Sequence, residues 1–382
     1  MGKEPSVTGG RPDITLLVVT IILVVVGTVM IYSSSSIIAL EKYGDGYHYI
    51  KKQIVFVLLG LGVMIGTSRV PYRYWRNAAY PLVFTAMALL ALLMVPGIGT
   101  TVGGATRWLR SGGVSFQVSE LVKIALVIFL AHYLTKKIAH IKEFLRVFLL
   151  PLVVLMIILG LVLWQPDFGA AVIMVMVFML MFYLAGSRIT YLAGLAAMAI
   201  PAGVVLIMQE SYRMRRLLSF LNPWEDPTRT GFQIIQSFIS FGSGGTFGVG
   251  LGNSMQKLFY LPEPHTDFIL SVIAEEGGFI GVVIVVVLFS ILVFRGFVIS
   301  FHCKDIFGML LSSGLTAVIA LEAFINMAAV MGLVPTKGLV LPFLSYGGTS
   351  LMMCMMGIGI LLNISSHQGL SLIHISEPTR PY

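Results

Sequence analysis

Charge is what this 382-residue chain has least of: Asp, Glu, Lys and Arg together make up 11% of it. A soluble domain needs about a quarter of its residues charged to cover its surface, so water cannot be this chain's only solvent. Cysteine is nearly absent too. Cys303 falls in a short loop and Cys354 in an apolar run, which supports neither a disulfide framework nor a metal cluster. No polar linker divides the chain into soluble and membrane parts, and no internal repeat is visible.

What is present is apolar. Hydrophobic residues make up 57% of the chain and its mean hydropathy is +0.93. A hydrocarbon core ~30 Å thick needs about 20 helical residues. Ten such runs occur, near 14–32, 52–68, 78–95, 118–134, 145–164, 168–186, 190–208, 268–294, 307–331 and 345–364. Stretches such as Val282 to Leu288 would suggest strands in water, but an open sheet edge cannot be satisfied in lipid. The fold expected is all-α: a polytopic membrane protein of about ten transmembrane helices, forming one domain over residues 1–368. The first run exceeds a signal-peptide core and leads through Ser33–Ser36 into a second span, so it reads as an anchor.

The formal net charge of +8 does not require a nucleic-acid partner, because membrane proteins accumulate Lys and Arg for topological reasons. With both termini cytoplasmic, ten Lys and Arg (Arg69, Arg73, Arg76, Lys136, Lys137, Lys142, Arg146, Arg188, Arg295 and Lys304) lie in inner loops. Six (Lys42, Lys51, Lys52, Arg107, Arg110 and Lys337) lie in outer ones. The positive-inside rule favours that orientation. The longest connections, 33–51, 96–117 and 209–268, then all face outward. Residues 369–382 break with everything before them; they resemble translated adapter sequence, and a non-native tail is expected there.

The connection 209–268 joins the seventh and eighth spans and carries most of the chemistry. Its Phe, Trp and Ile content argues against disorder, and loops of this length are usually functional. GFQIIQSFISF places Phe232, Ile235, Phe238 and Ile239 on one helical face, which predicts a short interfacial helix with its other face toward a cavity. The glycine cluster FGSGGTFGVGLGNS contains neither GxxxxGK[ST] nor GxGxxG, so a tight turn beside a substrate is expected rather than a nucleotide cradle. Arg213, Arg215 and Arg216 in YRMRR suit phosphate oxygens at a membrane surface. KLFYLPEPHTDF packs Lys257, Glu263, His265 and Asp267 together just before the eighth span. Asp267 could serve as a general base there or merely cap the following helix. Glu275 and Glu276 in that helix call for a wet cavity.

Elsewhere, ionisable groups stand at membrane depth, where each costs at least about 2.5–3.5 kcal/mol and persists mostly when paired or functional. Glu120 and Lys123 share a helix face at the start of the fourth span. Asp167 lies at similar depth, and an Asp167–Lys123 ion pair is expected, either tethering helices or touching substrate. Glu322 and Asn326, one turn apart in the ninth span, suggest helix packing.

At these residues a resemblance becomes specific. QPDFGAA, YRMRRLLSFLNPWEDPTRTGFQIIQS, GLGNSMQKLFYLPEPHTDFILSVIAEEGG and GLVPTKGLVLPFLSYGGTS together resemble the SEDS family (shape, elongation, division and sporulation), from about residue 13 to 368. The resemblance implies a ten-span fold and peptidoglycan glycosyltransferase activity, polymerising lipid II at the outer face of the bacterial cytoplasmic membrane. It implies that Asp267 in HTDF is the catalytic base toward the acceptor 4-hydroxyl. By motif, Arg107 and Trp108 match TRW, Glu120 and Lys123 match SExxK, and Asp167 matches QPD, where a Lys–Asp contact is expected. Arg213 and Arg216 fall in the family's basic motif. With Lys257, Glu263, His265 and Lys337 they complete the expected substrate-binding set. Lys337, in PTKG, is more similar to the FtsW division-type branch than to the RodA elongation-type branch, while LPEPHTD and NPWEDP are also close to the sporulation branch. The resemblance further implies lipid II and nascent lipid-linked glycan as ligands, a class B penicillin-binding protein transpeptidase and other cell-division proteins as partners, and Mg²⁺ or Mn²⁺ as a candidate cofactor.

Two other functions fit parts of the sequence. A flippase for the lipid-linked precursor would use Glu120, Lys123, Asp167 and Glu322 as a polar path, but polar residues concentrate on one side and repeat symmetry is absent. A scaffold for partner helices leaves the HTD carboxylate without a role.

Overall fold

Short polar side chains start the helices. Asp13 accepts from the Leu16 N–H at 2.9 Å and opens α1 (Ile14–Tyr43), and Gly44, at φ +70°, closes it with its N–H on Leu40 O. Asp167 and Asp305 open α6 (Phe168–Leu184) and α11 (Ile306–Val330) in the same way, on the Ala170 and Gly308 N–H groups. The computed structural model describes residues 10–102, 105–111, 114–227, 231–255, 264–336 and 338–367. Its other long helices are α2 (His48–Arg69), α3 (Tyr74–Leu92), α4 (Val118–Lys137), α5 (Leu149–Trp164), α7 (Ile189–Gln209), α10 (Ile269–His302) and α12 (Gly348–Ser366). α8 (Ser211–Leu221) and α9 (Phe232–Gly244) lie between α7 and α10.

Helices thus stand at all ten expected places. Among the described residues, eight are long and apolar enough to cross a membrane. α6 has only 17 residues, and α3 begins with Arg76 and Asn77 in its first turn. α4 and α11 form the centre, buried on almost every side, whereas α7 buries only Leu192 and Leu195. An apolar helix exposed on most of its surface is what lipid contact requires.

Polar contacts define the two ends of the bundle. At one end, Arg295 pairs with Asp13, the Asp13 N–H donates to Ser365 Oγ at 3.0 Å, and the Tyr72 N–H donates to Asn363 Oδ1 at 2.8 Å. The other end gathers the connections α3–α4, α5–α6, α7–α10 and α11–α12, and the candidate chemistry lies there.

The connection 96–117, expected as a loop, forms a three-stranded antiparallel sheet of β1 (Gly99–Val102), β2 (Ala105–Ser111) and β3 (Val114–Gln117). Trp108 stands opposite Thr100 and Gln117, and Leu109 opposite Phe116. Strand alternation puts Arg107 and Leu109 on one face and Trp108 and Arg110 on the other; Leu109 and Phe116 rest on the helical core.

The glycine cluster after α9 has a structural reason. α10 breaks at Gly278, at φ +64° and ψ −164°, which interrupts the hydrogen bonds that Phe279 and Ile280 would make to Glu275 O and Glu276 O. Residues 245–250 replace all four partners. Val249 N–H donates to Glu275 O at 2.9 Å and Gly250 N–H to Glu276 O at 3.1 Å. Phe279 N–H donates to Gly245 O at 2.9 Å and Ile280 N–H to Thr246 O at 3.2 Å. Backbones this close leave no room for side chains: a Cβ on Gly248 would stand 2.1 Å from Glu276 O, and one on Gly244 2.0 Å from Ala274 O. The cluster is a strap that splints a broken helix.

α9 begins where the sequence places it, but its faces differ from the expectation. Ile234, Ile235, Ser237 and Ser240 are buried against the bundle, while Phe238 and Ile239 are exposed. Ser237 Oγ explains the choice: it lies 2.8 Å from Ser271 Oγ and donates to Val330 O at 2.7 Å, tying α9 to α10 and α11.

Candidate functional site

Asp267 sits in the turn 264–268, ahead of α10. It does not cap that helix, whose N-cap is Phe268 with no side-chain hydrogen bond. The N-cap position that sequence alone could also assign to Asp267 belongs to the residue after it. The backbone around Asp267 is firmly held. Three consecutive carbonyls accept one hydrogen bond each: His265 O from the Tyr346 N–H at 2.8 Å, Thr266 O from Ser345 Oγ at 2.5 Å, and Asp267 O from Asn326 Nδ2 at 3.0 Å. His265, 5% exposed, lies with its ring centroid 4.6 Å from that of Tyr49 and 5.7 Å from that of Tyr346. Burial raises the Tyr346 phenol above its ordinary pKa, so that hydroxyl is neutral near pH 7.

Beside this turn opens a small cleft, lined by Gln117, Ser119, Glu120, Lys123, Asp167, Glu322 and the 338–340 segment. Asp267 borders it: Oδ2 lies 3.3 Å from where a Cβ on Gly338 would stand. A side chain at 338 would crowd the carboxylate, so glycine leaves it accessible.

The floor of the cleft corrects one expectation. Lys123 Nζ pairs with Glu120 at 2.9 Å and with Glu322 from α11, not with Asp167. Asp167 is turned to its own helix: Oδ1 accepts the Ala170 N–H at 3.2 Å and Oδ2 accepts from Ser119 Oγ at 3.2 Å. As N-cap it is committed to the first turn of α6, and Glu322, directly across from Lys123, takes the cation. Arg107 reaches the same QPD turn from β2. It donates from Nη2 to Pro166 O at 2.5 Å and from Nε to Gln165 O at 3.3 Å, with Nε 3.9 Å from Asp167 Oδ2. The small sheet is thereby latched over the mouth of the cleft.

The basic motif lies at the same end. Arg213 donates to Leu206 O at 2.9 Å and lies 5.8 Å from the Phe168 ring centroid; Arg216 donates to Thr336 O at 3.2 Å. A guanidinium has five N–H donors, so the carbonyl contact of Arg213 leaves that side chain further capacity for phosphate oxygens. Trp108 is half-buried in β2. Lys257, Glu263 and Lys337 lie outside the described residues. Glu275 and Glu276 do not need the wet cavity inferred for them. Glu275 accepts from Ser254 Oγ and, at 2.9 Å, from the Met255 N–H; Glu276 accepts from Ser33 Oγ at 2.6 Å.

In the sequence Asn326 suggests packing, and no local pattern marks Ser345, Tyr346 or Ser119 as functional. Each acts through a partner distant in sequence, and only the polarity of Asn326 inside an apolar span was a signal.

The comparisons agree with this architecture. Residues 14–369 match the model of the FtsW/RodA/SpoVE cell cycle protein family. The probable peptidoglycan glycosyltransferase FtsW of Geobacter sulfurreducens is 48% identical over 356 residues, covering 93% of this chain and 95% of that protein. Stage V sporulation protein E of Bacillus subtilis is 40% identical, covering 93% and 97%. Among solved structures, a chain from a peptidoglycan synthase complex that coordinates polymerization and crosslinking aligns with a TM-score of 0.78 at 29% identity, covering 94% of this chain and 98% of that one. The rod shape determining protein RodA of Thermus thermophilus aligns with a TM-score of 0.69 at 27% identity, covering 93% and 96%. A charged cleft at one end of an apolar helical bundle, bordered by the HTD turn, and matches along nearly the whole length lead to one conclusion: this chain is an integral membrane protein of the FtsW/RodA/SpoVE cell cycle family.

Proposed function

We propose that this chain is a peptidoglycan glycosyltransferase that polymerises lipid II during septal wall synthesis in cell division. The observation that carries the reading is the Asp267 carboxylate, outside the N-cap position of α10, on a turn whose three carbonyls are all tied down, at the edge of a charged cleft. A general base needs a carboxylate held in a fixed position beside the substrate. Asp267 takes the proton from the acceptor 4-hydroxyl as that oxygen attacks the anomeric carbon of the donor sugar. The bond from that carbon to the diphosphate oxygen breaks with inversion, and undecaprenyl diphosphate leaves. Arg213 and Arg216, with Lys257 and Lys337, are the groups proposed to stabilise the departing charge; Arg107 and Trp108 border the acceptor side.

Among the described residues no three His, Cys, Asp or Glu converge on a point that could hold a metal ion. Mg²⁺ or Mn²⁺ is a candidate cofactor that the donor's diphosphate would hold with one or two carboxylates, as such ions usually are, without an all-protein cage. The protein lies in the bacterial cytoplasmic membrane with the Asp267 end outward and both termini cytoplasmic. Its proposed partner is a class B penicillin-binding protein, whose transpeptidase crosslinks the new strand; the similarity to a chain of a peptidoglycan synthase complex supports this. Division is supported by the 48% identity to the Geobacter and Trichlorobacter proteins named FtsW, against 40% to the sporulation protein.

Purified protein given lipid II, with and without the transpeptidase, is expected to make glycan strands, and Asp267→Asn to lower kcat by about 10²–10⁴. Wild-type turnover by Asp267→Asn would remove Asp267 as the base. Movement of lipid II between leaflets of sealed vesicles without polymer would replace the polymerase with a transporter.

A further inference from the structure

The peptide carrying Asp267 belongs to no helix or strand, so its position depends on the groups that hold it. Two of its three ties, Ser345 Oγ to Thr266 O and the Tyr346 N–H to His265 O, come from one turn, 341–346. The third is different in kind. Asn326 projects from α11 in the centre of the bundle and is 2% exposed. Its Nδ2 donates to Asp267 O at 3.0 Å and to Leu339 O at 2.5 Å. An amide nitrogen has two hydrogens, and here each serves a different segment. One segment carries the candidate base, and the other, 338–340, lines the cleft and sets the space in front of Asp267 Oδ2.

Helix packing alone does not account for this residue. Among the described residues Asn326 Oδ1 has no hydrogen-bond partner, an unfavourable state for a buried amide oxygen that a leucine would avoid. Turning the amide over would set Oδ1 against two carbonyl oxygens, so the observed orientation is the one the surroundings permit. What asparagine supplies here, and an apolar residue cannot, is a pair of fixed donors joining the base-bearing turn to the wall of the cleft.

We infer that Asn326 is a positioning residue for polymerisation: it holds the Asp267 backbone against the 338–340 segment and so aims the Asp267 carboxylate at the acceptor hydroxyl. The inference rests on the assignment of Asp267 as base. Asn326 touches neither substrate nor proton. Releasing it frees the carboxylate to drift by about an ångström, a displacement that can lower turnover on the order of 10²-fold.

The test uses the full-length protein with its transpeptidase partner and lipid II, measuring kcat and KM separately, with melting temperature in detergent as the fold control. Asn326→Asp keeps the size and removes both amide donors. It should lower kcat by about ten- to a hundred-fold and leave KM for lipid II within about twofold. Asn326→Gln, which restores both donors on a longer arm, should recover part of the loss; a purely structural defect would not follow the donors. If Asn326→Asp is not recovered folded, Asn326→Leu, of similar volume, carries the same expectation. A kcat within about twofold of wild type, or a loss confined to KM, overturns the inference. Asp267→Asn is run beside it: if that variant is inactive while the Asn326 variants are normal, only the positioning role fails. If Asp267→Asn is active, the assignment of the base fails first.

Discussion

Lys123 shows how much a single buried residue can depend on its partners. It is 2% exposed and its ammonium lies between Glu120 and Glu322, also almost fully buried. Removing it leaves two carboxylates facing each other in a low-dielectric interior. Lys123→Met is therefore expected to destabilise the protein by about 3–5 kcal/mol, the range for breaking a buried pair from one side. Removing the charges together, with Glu120→Gln and Glu322→Gln added, should recover most of that loss, because no unpaired charge is then left buried. Thermal unfolding in detergent measures both, and equal melting temperatures for the single variant and wild type would show that the cluster is not a mutually dependent ionic unit. Half of the cluster was legible in the sequence, since Glu120 and Lys123 are three apart on one helix. The other half was not. Glu322 arrives from 199 positions away, and Asp167, the partner expected by motif, is held by its own helix terminus.

At the scale of elements, the break in α10 and the strap around it form one device. Gly278 has a φ of +64°, and a Cβ there would lie 2.3 Å from Gly248 N. Gly248→Ala and Gly278→Ala should each cost more than about 1–3 kcal/mol, because steric overlap with backbone adds to the strain of a left-handed conformation. Gly66→Ala in α2 meets nothing within 4 Å and is the neutral control. Loss of thermal stability by the first two and not the third is the expected pattern; three equal melting temperatures would mean that the strap does not splint the helix. The sequence exposed the glycines but not their purpose: they read as a tight turn beside a substrate, whereas they splint a helix through contacts with residues 275–280. The β-sheet was more accessible: paired glycines at 103–104 and 112–113 separate Thr- and Val-containing runs, which is a hairpin signal. Hydropathy alone does not show it, because those runs are short and polar.

For the molecule as a whole, the proposed orientation has a direct consequence. Asn253 and Lys304 are both exposed, the first on the strap near the Asp267 end and the second at the opposite end, between α10 and α11. In a Cys303→Ser background, with Cys354 buried, a membrane-impermeant maleimide applied to intact cells should label Asn253→Cys and not Lys304→Cys. The reverse pattern would place the cleft in the cytoplasm and remove the access to lipid II that polymerisation outside the cell requires.

The sequence by itself determined the solvent, the helices and the end of the molecule where chemistry gathers. Those properties follow from local composition: long apolar runs must become helices in lipid, Asp and Gly mark their ends, and costly polar residues stand out against such a background. The sequence also singled out Asp267, because a carboxylate just before a span is conspicuous. Only the tertiary structure decided whether that carboxylate was capping a helix, what holds it, which acid takes Lys123, and why the glycines cluster after α9. Each of those outcomes is a contact between segments far apart in the chain. Such contacts depend on how the helices pack around α4 and α11, and no local pattern of residues encodes that packing.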